Sequence, residues 1–185
     1  MTQQPTGGPN SPTSGATAPQ VDHAWKLLTL TNEWIRHADA KATAALAFIA
    51  ALSALLYSLV AKLPETSLCV DVLTVFGCIF LFLATIFSGL TLVPRVHDNS
   101  TETSNESNLL FFGTITSKWS NQRTIYRDEL ETLIFSPPDL LTGLAFQIHI
   151  NANIASKKSR WVQWAIRSIL AAGLLIALVA ALVAK

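Results

Sequence analysis

The stretch Ala42–Ala61, ATAALAFIAALSALLYSLVA, decides the fold. It has no charged residue, no Pro and no Gly, and eight of its 20 residues are Ala. A bilayer core about 30 Å thick takes roughly 20 apolar residues in a helix rising about 1.5 Å per residue. Two further uncharged windows lie downstream, Val72–Val93 and Ser168–Ala184. All 13 basic and 12 acidic residues fall outside the three. The reading is an all-α integral membrane protein with three transmembrane helices at 42–61, 72–93 and 165–184. A secreted disulfide scaffold, a nucleic-acid-binding domain and an ordinary soluble enzyme are excluded by the same distribution.

Outward from these windows, the flanks carry the remaining signals. Residues 1–20 are uncharged and rich in Pro, Gly, Ser and Thr. They lack the basic start and apolar run of a signal peptide, so a disordered tail is expected. Neither Pro nor Gly interrupts 22–61, which predicts one long helix whose first part, 21–41, lies outside the membrane. The turn at Lys62-Leu63-Pro64-Glu65-Thr66-Ser67 is short and makes the first two spans antiparallel neighbours.

Pro94-Arg95 closes the second span, and a polar stretch from His97 to Asn108 opens a helical module over 97–164. Within it Leu109–Ile115 is an apolar patch needing cover, and 117–133 has Ile125, Tyr126, Leu130 and Leu133 at helical spacing. Ser136-Pro137-Pro138-Asp139 is a helix start with a Ser cap and an S-x-x-D box. The helix it begins is expected to reach Ala184, roughly 70 Å, so the first and third helices both extend into the module. Lys and Arg concentrate in cytoplasmic flanks. Lys26, Arg36, Lys41, Arg95, Lys157, Lys158, Arg160 and Arg167 share one side, whereas Lys62 and Lys185 hold the other. This puts the N-terminus and the long loop in the cytoplasm and the C-terminus outside.

Chemistry-bearing motifs are scarce. There is no HExxH, GxSxG or Gly-rich phosphate loop, so no catalytic residue is assigned. Cys69 and Cys78 sit about 13 Å apart on a helix, beyond the roughly 7 Å a disulfide spans, and no metal-ligand spacing accompanies them. Two polar clusters flank the spans instead. In the first, Asn32, Arg36 and Asp39 share one helix face, while Glu33, His37 and Lys41 share the next. Either Arg36 pairs locally with Asp39 while Lys41 reaches lipid head groups, or Arg36 and Lys41 meet an anionic ligand with Asp39 holding Arg36.

In the second cluster His149, Asn153 and Lys157 align, and Asn151 lies in a seam with Leu141, Leu144, Ile148 and Ala155. A polar residue in such a seam fixes helix register. Amides beside cations also suit a heterocycle carrying a phosphate. Trp34, Trp161 and Trp164 read as interfacial anchors, and Trp25 and Trp119 as packing residues.

At these residues the sequence resembles the Pycsar effector transmembrane family of bacterial antiphage defence. The resemblance rests on four segments. They are Trp34-Ile35-Arg36-His37-Ala38-Asp39-Ala40-Lys41-Ala42, Pro94-Arg95, Leu110-Phe111-Phe112-Gly113-Thr114-Ile115, and Gln147-Ile148 with Asn151, Ile154, Ala155 and Lys157. The aromatic usual after Lys157-Lys158 is replaced by Ser159-Arg160-Trp161.

The resemblance implies an effector, not an enzyme, that needs no resident cofactor. A cyclic pyrimidine nucleotide, cUMP or cCMP, made by a partner cyclase would activate it to impair the inner membrane in abortive infection. It is expected to form homo-oligomers and to bind no nucleic acid. Arg36, Asp39, Lys41, Asn151 and Lys157 match the motifs and, with Asn153, are expected to contact the ligand. The rivals are a ligand-independent holin-like or scaffold protein, and a small enzyme relying on His37 or His149.

Overall fold

The computed structural model describes residues 18–61, 67–93, 109–110, 115–116 and 118–184. Among them the chain is all-α: α1 (Ala18–Val60), α2 (Leu68–Leu92), α3 (Arg123–Phe135) and α4 (Pro137–Val183). Helices α1, α2 and α4 are each long and apolar enough to cross a membrane. The polar loop 97–108, its neighbours 94–96, and 111–114 lie outside the described residues.

Local chemistry explains the boundaries. Helix α1 starts at Ala18, so the tail expected over 1–20 gives up its last three residues to the helix. Pro19 falls in the first turn, where its missing N–H has no intrahelical acceptor to lose. Residues 1–17 lie outside the described part. Asp22 and Lys26 form an exposed i,i+4 pair at 2.6 Å, and the Lys26 hydrogen bond, then its charge, holds the Asp22 carboxyl below the usual carboxylate range.

Helix α2 begins at Leu68, four residues before the uncharged window. Ser67 caps it by accepting the Val70 N–H at 3.4 Å, and Asp71 complements the positive end of the helix dipole. At its other end Val93 is extended, the backbone that a following Pro imposes, and its N–H still reaches the Gly89 carbonyl. Ser136 is likewise extended before Pro137 and separates α3 from α4. Its hydroxyl donates directly to the Asp139 carboxylate, and its carbonyl accepts the Leu140 N–H at 2.9 Å. The helix therefore starts at Ser136-Pro137-Pro138-Asp139 as expected, but the reciprocal S-x-x-D box is not formed, because the Ser136 hydroxyl bonds the Asp139 side chain and the Ser136 N–H bonds the Leu133 carbonyl.

The described residues group into two compact units. One holds those within Met1–Leu27 and Ser104–Gln147, the other those within Leu28–Thr103 and Ile148–Lys185. In the first, the helical segment expected over 117–133 is broken: Ile115, Thr116 and Lys118 are helical, and α3 begins after the break, at Arg123. Ser120 and Asn121 form a turn, Gln122 donates back to the Trp119 carbonyl, and Trp119 is buried with its ring 6.0 Å from Tyr126. The Tyr126 hydroxyl donates to the Leu109 carbonyl at 3.1 Å, which ties down the start of the apolar patch. A Cβ on Gly143 would lie 3.6 Å from Leu110 Cδ1, an ordinary contact. Gly143→Ala is thus expected to stabilise α4 by about 0.5–1 kcal/mol through reduced unfolded-chain freedom, read as a higher unfolding midpoint of the full chain.

The second unit is a three-helix packing built on 3-and-4 spacing. Buried positions on α1 are Leu28, Thr31, Ala38, Ala42, Ala45, Ile49 and Leu56, with Ile35 and Leu52 half-buried between them. Helix α2 turns Val70, Gly77, Leu81, Ala84, Ser88 and Thr91 inward. Helix α4 buries a line of residues seven apart: Asn151, Lys158, Ala165, Ala172 and Val179. The core cluster joins Ile49 and Leu56 to Leu81, Ala84, Ala172 and Ile176. Small residues recur at these contacts because helices in lipid associate by close packing, without hydrophobic drive. Large side chains such as Phe48, Phe82, Leu170 and Leu174 are exposed, as lipid-facing residues are.

Candidate functional site

Above the apolar part of the second unit, two polar pairs cross between α1 and α4. Asn151 Nδ2 donates to Asn32 Oδ1 at 2.7 Å, and Lys158 Nζ donates to Asp39 Oδ1 at 2.6 Å. Each pair joins residues 119 apart in sequence, so the helices run parallel in one register, and the pairs lie one heptad apart. Asn151 is buried and Lys158 keeps 8% of its side-chain surface, whereas Asp39 keeps 36%. A cation so deeply placed is held by its carboxylate, and that carboxylate side chain remains partly open to water.

The sequence-based candidates divide accordingly. Asp39 pairs across the seam with Lys158, and Asn151 with Asn32. Among the described residues, the ion-pair partner of Asp39 is Lys158, not Arg36, so Asp39 does not serve as the holder of Arg36. Arg36, Asn153 and Lys157 are exposed, and Asn153 Nδ2 lies 3.0 Å from His149 Nε2. Lys158 was missed. Adjacent residues on a helix point about 100° apart, and here Lys158 takes the seam while Lys157 takes the surface. Its spacing of seven from Asn151 is the signal that marks it.

Beside the seam lies an open groove of about 680 Å³. Its α1 wall is Trp34, His37, Ala38 and Lys41. Its α4 wall is Ala152, Ala155, Ser156, Ser159, Val162, Gln163 and Ile166. Lys41 is the one sequence candidate on it. None of these residues is acidic, and Lys41 is the cation among them. Its floor is made by small side chains, Ala38 and Ala155, packed beside Val162.

Aromatic contacts fix α4 against α2 at a neighbouring level. Trp161 stacks on Phe87 with centroids 5.8 Å apart, and Trp164 lies 6.4 Å from the same ring. The Arg167 guanidinium sits 5.1 Å from the Trp164 ring, a cation–π contact. Deeper among the spans, a second cavity of about 440 Å³ lies between α1 and α2 and is lined in part by Ser53, Tyr57, Thr74 and Thr85. Both cysteines are free and exposed.

Comparison with known proteins adds the context. Residues 23–185 match the family model of the Pycsar effector protein domain, PycTM. A curated relative, the Pycsar effector protein PtPycTM of Propioniciclava tarda, is 31% identical over 170 residues, covering 89% of this chain and 82% of that protein. No solved structure matches the chain significantly.

Proposed function

Because this chain belongs to the Pycsar effector family of antiphage-defence membrane effectors, we propose that it senses cUMP or cCMP at the cytoplasmic ends of α1 and α4. The response is impairment of the inner membrane, which halts phage propagation by abortive infection. The family implies a partner cyclase as the source of the signal, and its members are transmembrane effectors not known as enzymes. The observation that carries the reading is the polar crossing of α1 and α4. Asn32–Asn151 and Asp39–Lys158 join the helices short of their uncharged stretches, which begin at Ala42 and Ser168, so a ligand that favours another arrangement of these pairs reaches the spans through continuous helix.

The energetics set a condition. A ligand moves such an equilibrium only through its differential affinity for the two arrangements. Carrying the population from about 1:99 to 99:1 takes roughly 10⁴-fold tighter binding to the active one. The charge asymmetry of the flanks supports a cytoplasmic placement of the polar crossing.

The test is titration of the purified full chain with cUMP and cCMP, paired with release of a trapped dye from liposomes containing it. Binding of one cyclic pyrimidine nucleotide with dose-dependent release is expected. A chain that neither binds these nucleotides nor leaks in response to them does not work this way. Leakage of equal size without nucleotide would make it a ligand-independent holin-like protein.

A further inference from the structure

We propose that the groove beside the α1–α4 seam is the nucleotide site, with Trp34 stacking on the base and Lys41 and His37 holding the cyclic phosphate. This rests on the sensing reading above and names its site. On α1, Trp34, His37 and Lys41 follow one another at i, i+3 and i+7. On α4, Ser156, Ser159 and Gln163 repeat that spacing. In the register set by the two polar pairs, His37 is level with Ser156. The two rows therefore overlap from His37 and Ser156 to Lys41 and Ser159, with Gln163 about a turn beyond.

The dimensions and chemistry agree with a mononucleotide. From Trp34 to Lys41 the helix rises about 10 Å, the length of a base, a ribose and one phosphate in line. The volume of about 680 Å³ falls within the range of small-molecule sites. Trp34 is 51% exposed, so its ring face is open to a base, and stacking of this kind accepts any base. A cyclic phosphate is a monoanion, and Lys is a point-charge partner for phosphate. No carboxylate lines either wall, and Asp39, next to Ala38 in sequence, is paired with Lys158. Ser156, level with His37, offers a hydroxyl to the ribose, and Ser159 and Gln163, level with and beyond Lys41, add donors at the phosphate end.

A phospholipid head group shares the phosphodiester chemistry, and the groove lies close to the uncharged windows. The soluble nucleotide is favoured because a lipid head group has no flat ring for Trp34. It also makes no use of the paired polar row on α4.

The full chain in phosphatidylcholine nanodiscs, titrated with cUMP and cCMP by calorimetry, tests the assignment. Lys41→Gln and Trp34→Ala are expected to weaken binding at least about tenfold, the scale of losing a base–aromatic stack. Trp34→Phe is expected to restore most of it, and Arg160→Gln to leave it unchanged. Circular dichroism checks that each variant keeps its helices. If the wild type binds and the groove variants bind equally well, the site assignment fails while the sensing reading stands. If the wild type binds neither nucleotide, both fail. Competition by phosphatidylglycerol nanodiscs that abolishes nucleotide binding would give the groove to a lipid head group and overturn the proposal.

Discussion

Asp39→Ala is expected to cost on the order of 3 kcal/mol of stability, because it leaves the Lys158 ammonium, 8% exposed, without its carboxylate. The opposite truncation, Lys158→Met, is expected to cost less. Its orphan, Asp39, retains 36% of its surface and can turn to water. Replacing both, with Asp39→Leu and Lys158→Met, should return stability to the wild-type level or above, since a matched apolar pair avoids the desolvation of two charges. Reversible unfolding of the full chain in mixed micelles measures all three. Equal costs for the two single variants would mean that the pair is solvated from both sides. The double variant also carries a functional expectation. If the ion pair is part of what the nucleotide shifts, the protein remains folded and binds, yet triggered dye release is lost.

The fold was largely legible because its cause is local. Three uncharged windows long enough to span a bilayer leave few alternatives, and Ser136-Pro137-Pro138-Asp139 marks the start of α4 by its own capping chemistry. The misplaced boundaries are also local effects. Pro19 is tolerated inside the first turn of α1, Ser67 and Asp71 extend α2 backwards, and a turn after the buried Trp119 breaks the helix before α3.

The site was legible only in part, for a geometric reason. Asn151 announced itself as a polar residue in an apolar seam. The partner of Asp39 could not be read from α1 alone, because Arg36 at i−3 is the natural local partner and the actual one lies 119 residues away. Which of Lys157 and Lys158 faces α1 depends on the rotation of α4, and only the full seven-residue line through Asn151, Ala165 and Ala172 fixes it. The groove needs both helices in register, so Trp34 read as an interfacial anchor until Ser156, Ser159 and Gln163 stood opposite its helix.

Ala172→Leu is expected to be the other severe substitution. Ala172 is fully buried where α1, α2 and α4 meet, against Ile49, Leu56, Leu81 and Ala84. Overpacking a tight core costs about 1–3 kcal/mol in soluble proteins. Within lipid that loss is not offset by hydrophobic drive between helices, because the tails are as apolar as the leucine itself. Leu174→Ala, two residues on, removes a larger side chain but one that is 66% exposed, and should change stability by less than about 0.5 kcal/mol. Unfolding in mixed micelles separates the two faces of α4. Liposome release then connects packing to activity: if the close arrangement of the three spans is what seals the bilayer, Ala172→Leu raises nucleotide-independent leakage whereas Leu174→Ala does not. Basal leakage at the wild-type level in a destabilised Ala172→Leu protein would place the seal elsewhere than in this packing.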